Sequence, residues 1–252
     1  MKANRQMALL AILQRDRTAE IGKLSDELLA SRITIRRDLR EMERQGLLRV
    51  TRGGAILNQG ATYEPGYLAK TGQERAEKLR IAREAAELVS PGDTVLLDAG
   101  TTTAALAREL VRVRDVTVIS NSLTIANVLA PQRSVRFIMV GGVFRDVSAA
   151  FLGPFAEDAI RNLRVDRAFI ATEAVDVERG LQVPDDRDAS IKRAMVEAAR
   201  EVVVVADHTK FGLQRLHTFA PWAVIHRLVT GSEVDPQTIE HIRQRGVTVT
   251  IA

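Results

Sequence analysis

The sequence predicts an α/β protein in two parts: a small helical unit followed by a doubly wound, mainly parallel α/β domain. Three observations predict it. From Asp93 to the C-terminus, short apolar runs alternate with helical segments, the rhythm of βα units that build a parallel sheet. Three short amphipathic helices precede that stretch. The charge divides at nearly the same place: residues 1–60 hold 12 Lys/Arg against 7 Asp/Glu, a net +5, and residues 61–252 hold 24 against 25, a net −1.

A chain of 252 residues accommodates one large and one small domain. It has no cysteine, which excludes disulfides and thiolate metal sites. No run approaches the roughly 18 apolar residues that a membrane-crossing helix needs. Nothing with the character of a secretory leader precedes the first helical segment, so the cytoplasm is the expected compartment and no membrane partner is expected. The basic front quarter implies a polyanionic partner; a solvated basic surface is the plainer alternative.

Asn4–Arg15 reads as a helix with Met7, Leu10, Ile12 and Leu13 as its apolar stripe. A second helix is expected from about Glu20 to Ala30, with Ile21, Leu24, Leu28 and Leu29 apolar. Ser31 has the chemistry of an N-cap. A third helix runs from Arg32 to about Gln45, where Gly46 ends it. At roughly 100° per residue, Ile35, Leu39 and Met42 share one sector of this helix. Ile33, Arg36, Arg37, Arg40 and Arg44 share another, with Asp38, Glu41 and Glu43 on the flanks.

A sector of guanidinium groups with one aliphatic side chain contributes little to a core. It suits a DNA major groove, where arginine reaches phosphate or pairs with guanine and Ile33 can touch a thymine methyl. Two β-prone runs within Leu47–Leu57 flank Gly53-Gly54 as a hairpin carrying Arg49 and Arg52. Helices followed by a basic hairpin make a winged helix-turn-helix. Its candidate DNA-contacting residues are Ser31, Arg32, Ile33, Thr34, Arg36, Arg37, Arg40, Arg49 and Arg52. The alternative is a trihelical unit that contacts only protein.

Ser31-Arg32-Ile33-Thr34-Ile35-Arg36-Arg37-Asp38-Leu39, followed by Gly46-Leu47 and Gly53-Gly54-Ala55, resembles the DNA-binding domain of the DeoR/GlpR family. Where that family usually carries Arg-x-His before Gly-Gly-Ala, this chain has Val50-Thr51-Arg52. Residues 1–57 are thus expected to be the winged unit. Residues 58–72, with Gly60, Pro65 and Gly66 and no sustained periodicity, read as a linker. Residues 73–252 form the second domain, opened by a helix from near Gln73 to Ser90-Pro91-Gly92.

In that domain, strands are expected at Thr94–Leu97, Val116–Ile119, Val135–Val140, Ala168–Ala171, Val202–Ala206, Leu228–Val229 and Val247–Ile251. Helices are expected at Thr102–Val111, Leu123–Leu129, Phe155–Leu163, Ala189–Arg200 and Pro236–Arg245. Right-handed crossovers place every strand exit on one side, where open α/β sheets bind ligands. The exits carry small and polar residues, which together make a polar pocket. Gly100-Thr101-Thr102-Thr103 opens a helix whose N–H groups and hydroxyls suit a phosphate. Lys210 adds positive charge, with Lys192 and Arg145 as weaker candidates, and Asp98 and Asp207 can accept hydrogen bonds from ligand hydroxyls. The candidate effector-binding residues are Asp98, Gly100, Thr101, Thr102, Thr103, Ser120, Asn121, Gly141, Gly142, Asp207 and Lys210. Thr172 stands at a further exit. The histidines at 208, 217, 226 and 241 have no metal-ligand spacing, so no metal or cofactor is expected. Trp222 reads as a packing residue.

Asp98-Ala99-Gly100-Thr101-Thr102, Ser120-Asn121, Gly141-Gly142, Gly153-Pro154, Lys192-Arg193 and Asp207-His208-Thr209-Lys210-Phe211-Gly212 resemble, in this order, the sensor domain of the same family. The resemblance implies a fold similar to ribose-5-phosphate isomerase. It also implies a phosphorylated sugar or polyol effector that loosens operator binding, and repression as the sense of control. Against the family pattern, Ala171-Thr172-Glu173-Ala174-Val175-Asp176 replaces a Gly-rich segment. The expected protein is a non-enzymatic regulator that meets double-stranded operator DNA as a homodimer or homotetramer. Two alternatives stand beside it: a sugar-phosphate isomerase-like enzyme fused to a DNA-binding unit, and an interaction protein with a vestigial pocket.

Overall fold

The apolar spacing of the front segment yields three helices and a sheet. The computed structural model of the chain describes residues 2–16, 18–44, 47–57 and 60–252. It falls into two units, Met1–Ala69 and Lys70–Ala252. The first contains α1 (Lys2–Asp16), β1 (Thr18–Glu20), α2 (Ile21–Glu27), α3 (Arg32–Arg44), β2 (Leu48–Val50) and β3 (Gly54–Leu57). The expected end of the third helix at Gln45 and Gly46, and the first linker residues Asn58 and Gln59, lie outside the described residues.

Leu9, Ile12, Leu13, Leu24, Ile35, Leu39, Met42 and Leu48 form the core of this unit. Leu9 takes the place expected of Met7, which is exposed. Helix α2 stops at Glu27, and Leu29, left-handed at φ 48°, projects into solvent. Strand β1 turns the expected hairpin into a three-stranded antiparallel sheet in the order β1-β3-β2. Its register sets Gly54 opposite Glu20, so close that a Cβ on Gly54 would stand 2.1 Å from the carbonyl oxygen of Ala19.

Helix α4 (Tyr67–Thr71) lies where the linker was expected and spans the division between the units. Beyond it come α5 (Arg75–Ala86), β4 (Thr94–Leu97), α6 (Thr101–Leu110), β5 (Val116–Ser120), α7 (Leu123–Leu129) and β6 (Val135–Met139). The chain continues through β7 (Val143–Arg145), β8 (Ala150–Leu152), α8 (Pro154–Arg161), β9 (Val165–Ile170), β10 (Ala174–Asp176), β11 (Gly180–Val183) and α9 (Asp186–Ala198). It ends with β12 (Ala199–Val205), β13 (His217–Ala220), β14 (Arg227–Thr230), α10 (Pro236–Gln244) and β15 (Thr248–Ile251). Among the described residues no helix is long and apolar enough to cross a membrane.

Seven strands, one for each apolar run, form a parallel sheet in the order β15-β14-β12-β9-β4-β5-β6. Because side chains alternate along a strand, the sheet feeds two cores. Val95, Leu97, Phe169, Val203 and Val205 pack with α5, α6 and α7 on one face. Leu96, Ala168, Ile170, Val202 and Val204 pack with α8, α9 and α10 on the other. The chain runs outward from β4 through β5 to β6, then returns to β9 on the other side of β4 and runs outward again. Strand order therefore reverses between β4 and β9, the switch point at which such sheets open a crevice. The β7–β8 hairpin and the antiparallel sheet β10-β11-β13 were not expected; both are built from the connections that follow β6, β9 and β12.

Replacing Gly54 by Ala forces a methyl into the Ala19 carbonyl. The expected cost to the N-terminal unit is about 1–3 kcal/mol, read as a lower melting temperature. An unchanged melt would show that β1 can move aside.

Candidate functional site

On α3 the two sectors separate as their chemistry requires. Ile35, Asp38, Leu39 and Met42 are buried, while Arg32, Arg36, Arg37, Arg40 and Arg44 are exposed, and Ile33 is 82% exposed. Ser31 Oγ accepts the N–H of Thr34 at 3.2 Å and bonds its hydroxyl at 2.9 Å, so both residues hold the start of the helix. Asp38 is not on a flank. It is fully buried, and Arg5 Nε donates to its Oδ2 at 2.5 Å, pinning α1 to α3. Glu43 accepts the N–H of Val50 at 2.7 Å, which fastens the hairpin to α3. Arg49 and Arg52 stand exposed on that hairpin.

In the second unit the switch point is held by a buried ion pair. Asp98 follows β4; its Oδ2 accepts the N–H of Ala171, after β9, at 3.0 Å and also takes Lys192 Nζ from α9. Lys192 Nζ donates in turn to the Ala171 carbonyl at 3.1 Å. Burial opposes the charge on Lys192, but Asp188 and Asp98 outweigh it and raise its pKa above the ordinary lysine value. Gly100 packs on Ala171, where a Cβ would stand 2.8 Å from the alanine methyl. Thr103 donates to the Gly100 carbonyl at 3.0 Å; Thr102 and Thr103 are buried and Thr101 is half-buried.

The neighbouring exits add further polar groups. Ser120 Oγ accepts the Ser122 N–H at 3.1 Å, and Asn121 Nδ2 donates to the Phe151 carbonyl at 3.0 Å. Gly141 is exposed, and Gly142 packs against the carbonyl of Leu152. Asp207 Oδ1 accepts from the N–H of Thr209 at 3.1 Å and from its hydroxyl, starting the short turn His208–Lys210. Three deeply buried acceptors at these exits, Asp98 Oδ1, Asn121 Oδ1 and Asp207 Oδ2, have no hydrogen-bond partner, and Lys78 Nζ stands 3.5 Å from the last.

Lys210 faces Glu173, with Nζ 3.3 Å from Oε2, and Lys70 Nζ lies 2.6 Å from Oε1 of the same carboxylate. Burial pushes the Glu173 carboxyl up, but Lys210 and Lys70 together hold it well below the usual carboxylate range. Lys70 escaped the sequence reading because it sits in the expected linker and its partner is 103 residues away. Arg145 stands 3.4 Å from Asp185. His208 N donates to Glu77 Oε1 at 2.8 Å, and Nδ1 lies 2.7 Å from Oε2. Burial disfavours the imidazolium, yet the hydrogen bond and charge of Glu77 raise its pKa. With Glu74 these two residues place ligand-capable atoms within 4.8 Å of one another, although His208 already engages both oxygens of Glu77. Trp222 is buried and donates to the Asp176 carbonyl at 3.1 Å.

Lys192→Met leaves the Asp98 charge buried without its cation, at an expected cost of about 3–5 kcal/mol in the unfolding free energy. Combining it with Asp98→Asn is expected to recover most of that loss in denaturant titrations. A double variant no more stable than the single one would mean that the pair is not the source of the loss.

Comparison with known proteins follows the two units. The DeoR-like helix-turn-helix domain matches residues 5–61, and the DeoR C terminal sensor domain matches residues 73–232. The chain is 38% identical to the transcriptional repressor AccR of Agrobacterium fabrum over 91% of its own length and 89% of that protein. It is 34% identical to the HTH-type transcriptional regulator GlpR of Haloferax volcanii, over 99% and 97%. It is 33% identical to the HTH-type transcriptional repressor GlcR of Bacillus subtilis, over 90% and 87%. Among solved structures, a ribose 5-phosphate isomerase from Methanocaldococcus jannaschii is similar at a TM-score of 0.41 and 22% identity, over 55% of each chain. By its two matched domains and its relatives, the chain belongs to the DeoR family of helix-turn-helix transcription regulators.

Proposed function

We propose that this protein is a transcriptional repressor of carbohydrate or polyol genes, released from its operator by a phosphorylated sugar or polyol. Residues 1–57 are the reading head and 73–252 the sensor. The observation that carries the effector reading is the pair of buried, unbonded acceptors, Asp98 Oδ1 and Asn121 Oδ1, on adjacent strand exits. Buried polar atoms without partners are costly, and the hydroxyls of a polyol supply partners for both. The first turn of α6, which begins three residues beyond Asp98, offers backbone N–H groups and a helix N-terminus for the phosphate.

On the DNA side, the exposed arginines of α3 and the hairpin supply phosphate neutralisation and base contacts. A homodimer or homotetramer presents paired helices to half-sites about one helical turn apart, or a multiple of that. Two of the relatives described above bear the name repressor, which supports the sense of control. The protein acts in the cytoplasm, with its DNA. It binds its effector without turnover, a reading supported by relatives that are named as regulators.

The test is an operator gel shift at fixed low salt, titrated with a panel of sugar and polyol phosphates. Wild-type protein is expected to shift the operator and to be released by at least one phosphate ester that is recovered unchanged. Arg36→Ala and Arg37→Ala are each expected to weaken the shift by roughly 1–3 kcal/mol. Unaltered operator affinity in both variants rejects the groove assignment. Insensitivity to every ester rejects the effector class, and conversion of the ester to product restores the enzyme alternative.

A further inference from the structure

The carboxylate of Glu173 stands just past the β9 exit, two residues beyond the Ala171 that Asp98 and Lys192 clamp. Its two oxygens are taken by Lys210 at the β12 exit, at 3.3 Å, and by Lys70, at 2.6 Å. All three side chains are largely buried, at 16%, 12% and 9% exposure for Lys210, Glu173 and Lys70. Lys70 is the residue at which the C-terminal unit begins, so the chain's covalent path to the DNA-reading unit starts there. A second ammonium reinforces the fastening. Lys78 Nζ donates to the carbonyls of Lys70 at 3.1 Å and Gln73 at 2.6 Å, and stands 3.5 Å from Asp207 Oδ2. The segment from Lys70 to Lys78 is thereby tied to two strand exits, one through Glu173 and one through Asp207.

We propose that Glu173 is a resident anion of the effector pocket, that a dianionic phosphoryl group competes with it for Lys210, and that its displacement loosens Lys70 and the segment entering the sensor. The inference rests on reading the strand exits as an anion-binding pocket. Both oxygens of Glu173 are engaged by lysines, so an anion that approaches Lys210 meets a carboxylate already in place. A dianion and Glu173 cannot share the cations at close range, because juxtaposed like charges repel. The carboxyl remains ionised across the working pH range, because the two lysines overcome its burial. The competition is therefore between anions at every such pH. Occupation of the pocket thereby removes one of the ties on Lys70, the one through Glu173.

The probe is inorganic phosphate at pH 8, added to the full-length protein. Binding is followed by calorimetry, and backbone hydrogen exchange is measured on the wild type in parallel. Glu173→Gln keeps the shape of the side chain and removes its charge, and is expected to bind phosphate about tenfold or more tighter than the wild type. In the wild type, phosphate is expected to accelerate exchange over residues 67–78 while slowing it over the first turn of α6. Equal phosphate affinity in the wild type and Glu173→Gln overturns the proposal while leaving the anion pocket intact. Faster exchange confined to residues outside 67–78 does the same, and it is read from wild-type protein if the variant fails to fold. If phosphate binds neither protein, the pocket reading itself falls.

Discussion

A single buried ammonium–carboxylate pair organises the sensor. Lys192 and Asp98 meet at the switch point of the sheet and between them take both the N–H and the carbonyl of Ala171. Such a pair is costly to bury and tolerable only when its geometry and hydrogen bonds are complete. Here Oδ2 of Asp98 is saturated, whereas Oδ1 is left bare. The clamp on Ala171 fixes the exit of β9, and from it Thr172 and Glu173. Thr172 continues the constraint: its one hydroxyl proton is shared between the carbonyls of Ala174 and Gln182, at 2.9 and 3.0 Å. The close packing of Gly100 on Ala171 then sets the start of α6 beside the same point. Strand exits, helix N-terminus and the Glu173 cluster are all positioned from this one pair.

The N-terminal unit uses charge differently. Its one fully buried acid, Asp38, is spent on holding α1 to α3 through Arg5, and Glu43 is spent on the hairpin. The acids near α3 thus serve the scaffold, which leaves the arginine sector facing solvent. A face of that kind repels itself in the free protein and gains most from a polyanion.

Much of this was legible in the sequence because it depends on local pattern. The seven apolar runs marked the seven parallel strands, and the spacing of Ile35, Leu39 and Met42 separated the buried sector of α3 from its arginines. The features that escaped depend on distant partners. Asp38 shares its sector edge with Met42, but its burial needs Arg5, 33 residues upstream. The Asp98–Lys192 pair spans 94 residues and the Lys70–Glu173 pair 103. Strands β7, β10, β11 and β13 are three or four residues long and gain their pairing only once the connections fold over one another. Helix α4 has five residues, too short for a periodic signal.

On the proposed reading, occupation of the strand-exit pocket and the grip on DNA are one coupled equilibrium. Coupling between two binding sites is reciprocal, so the direct measurement is a pair of titrations with the proposed effector, a sugar or polyol phosphate. Operator affinity is measured with and without the ester, and ester affinity with and without operator. The two affinities are expected to fall by the same factor. An ester that binds equally well to free and operator-bound protein would contradict that reading.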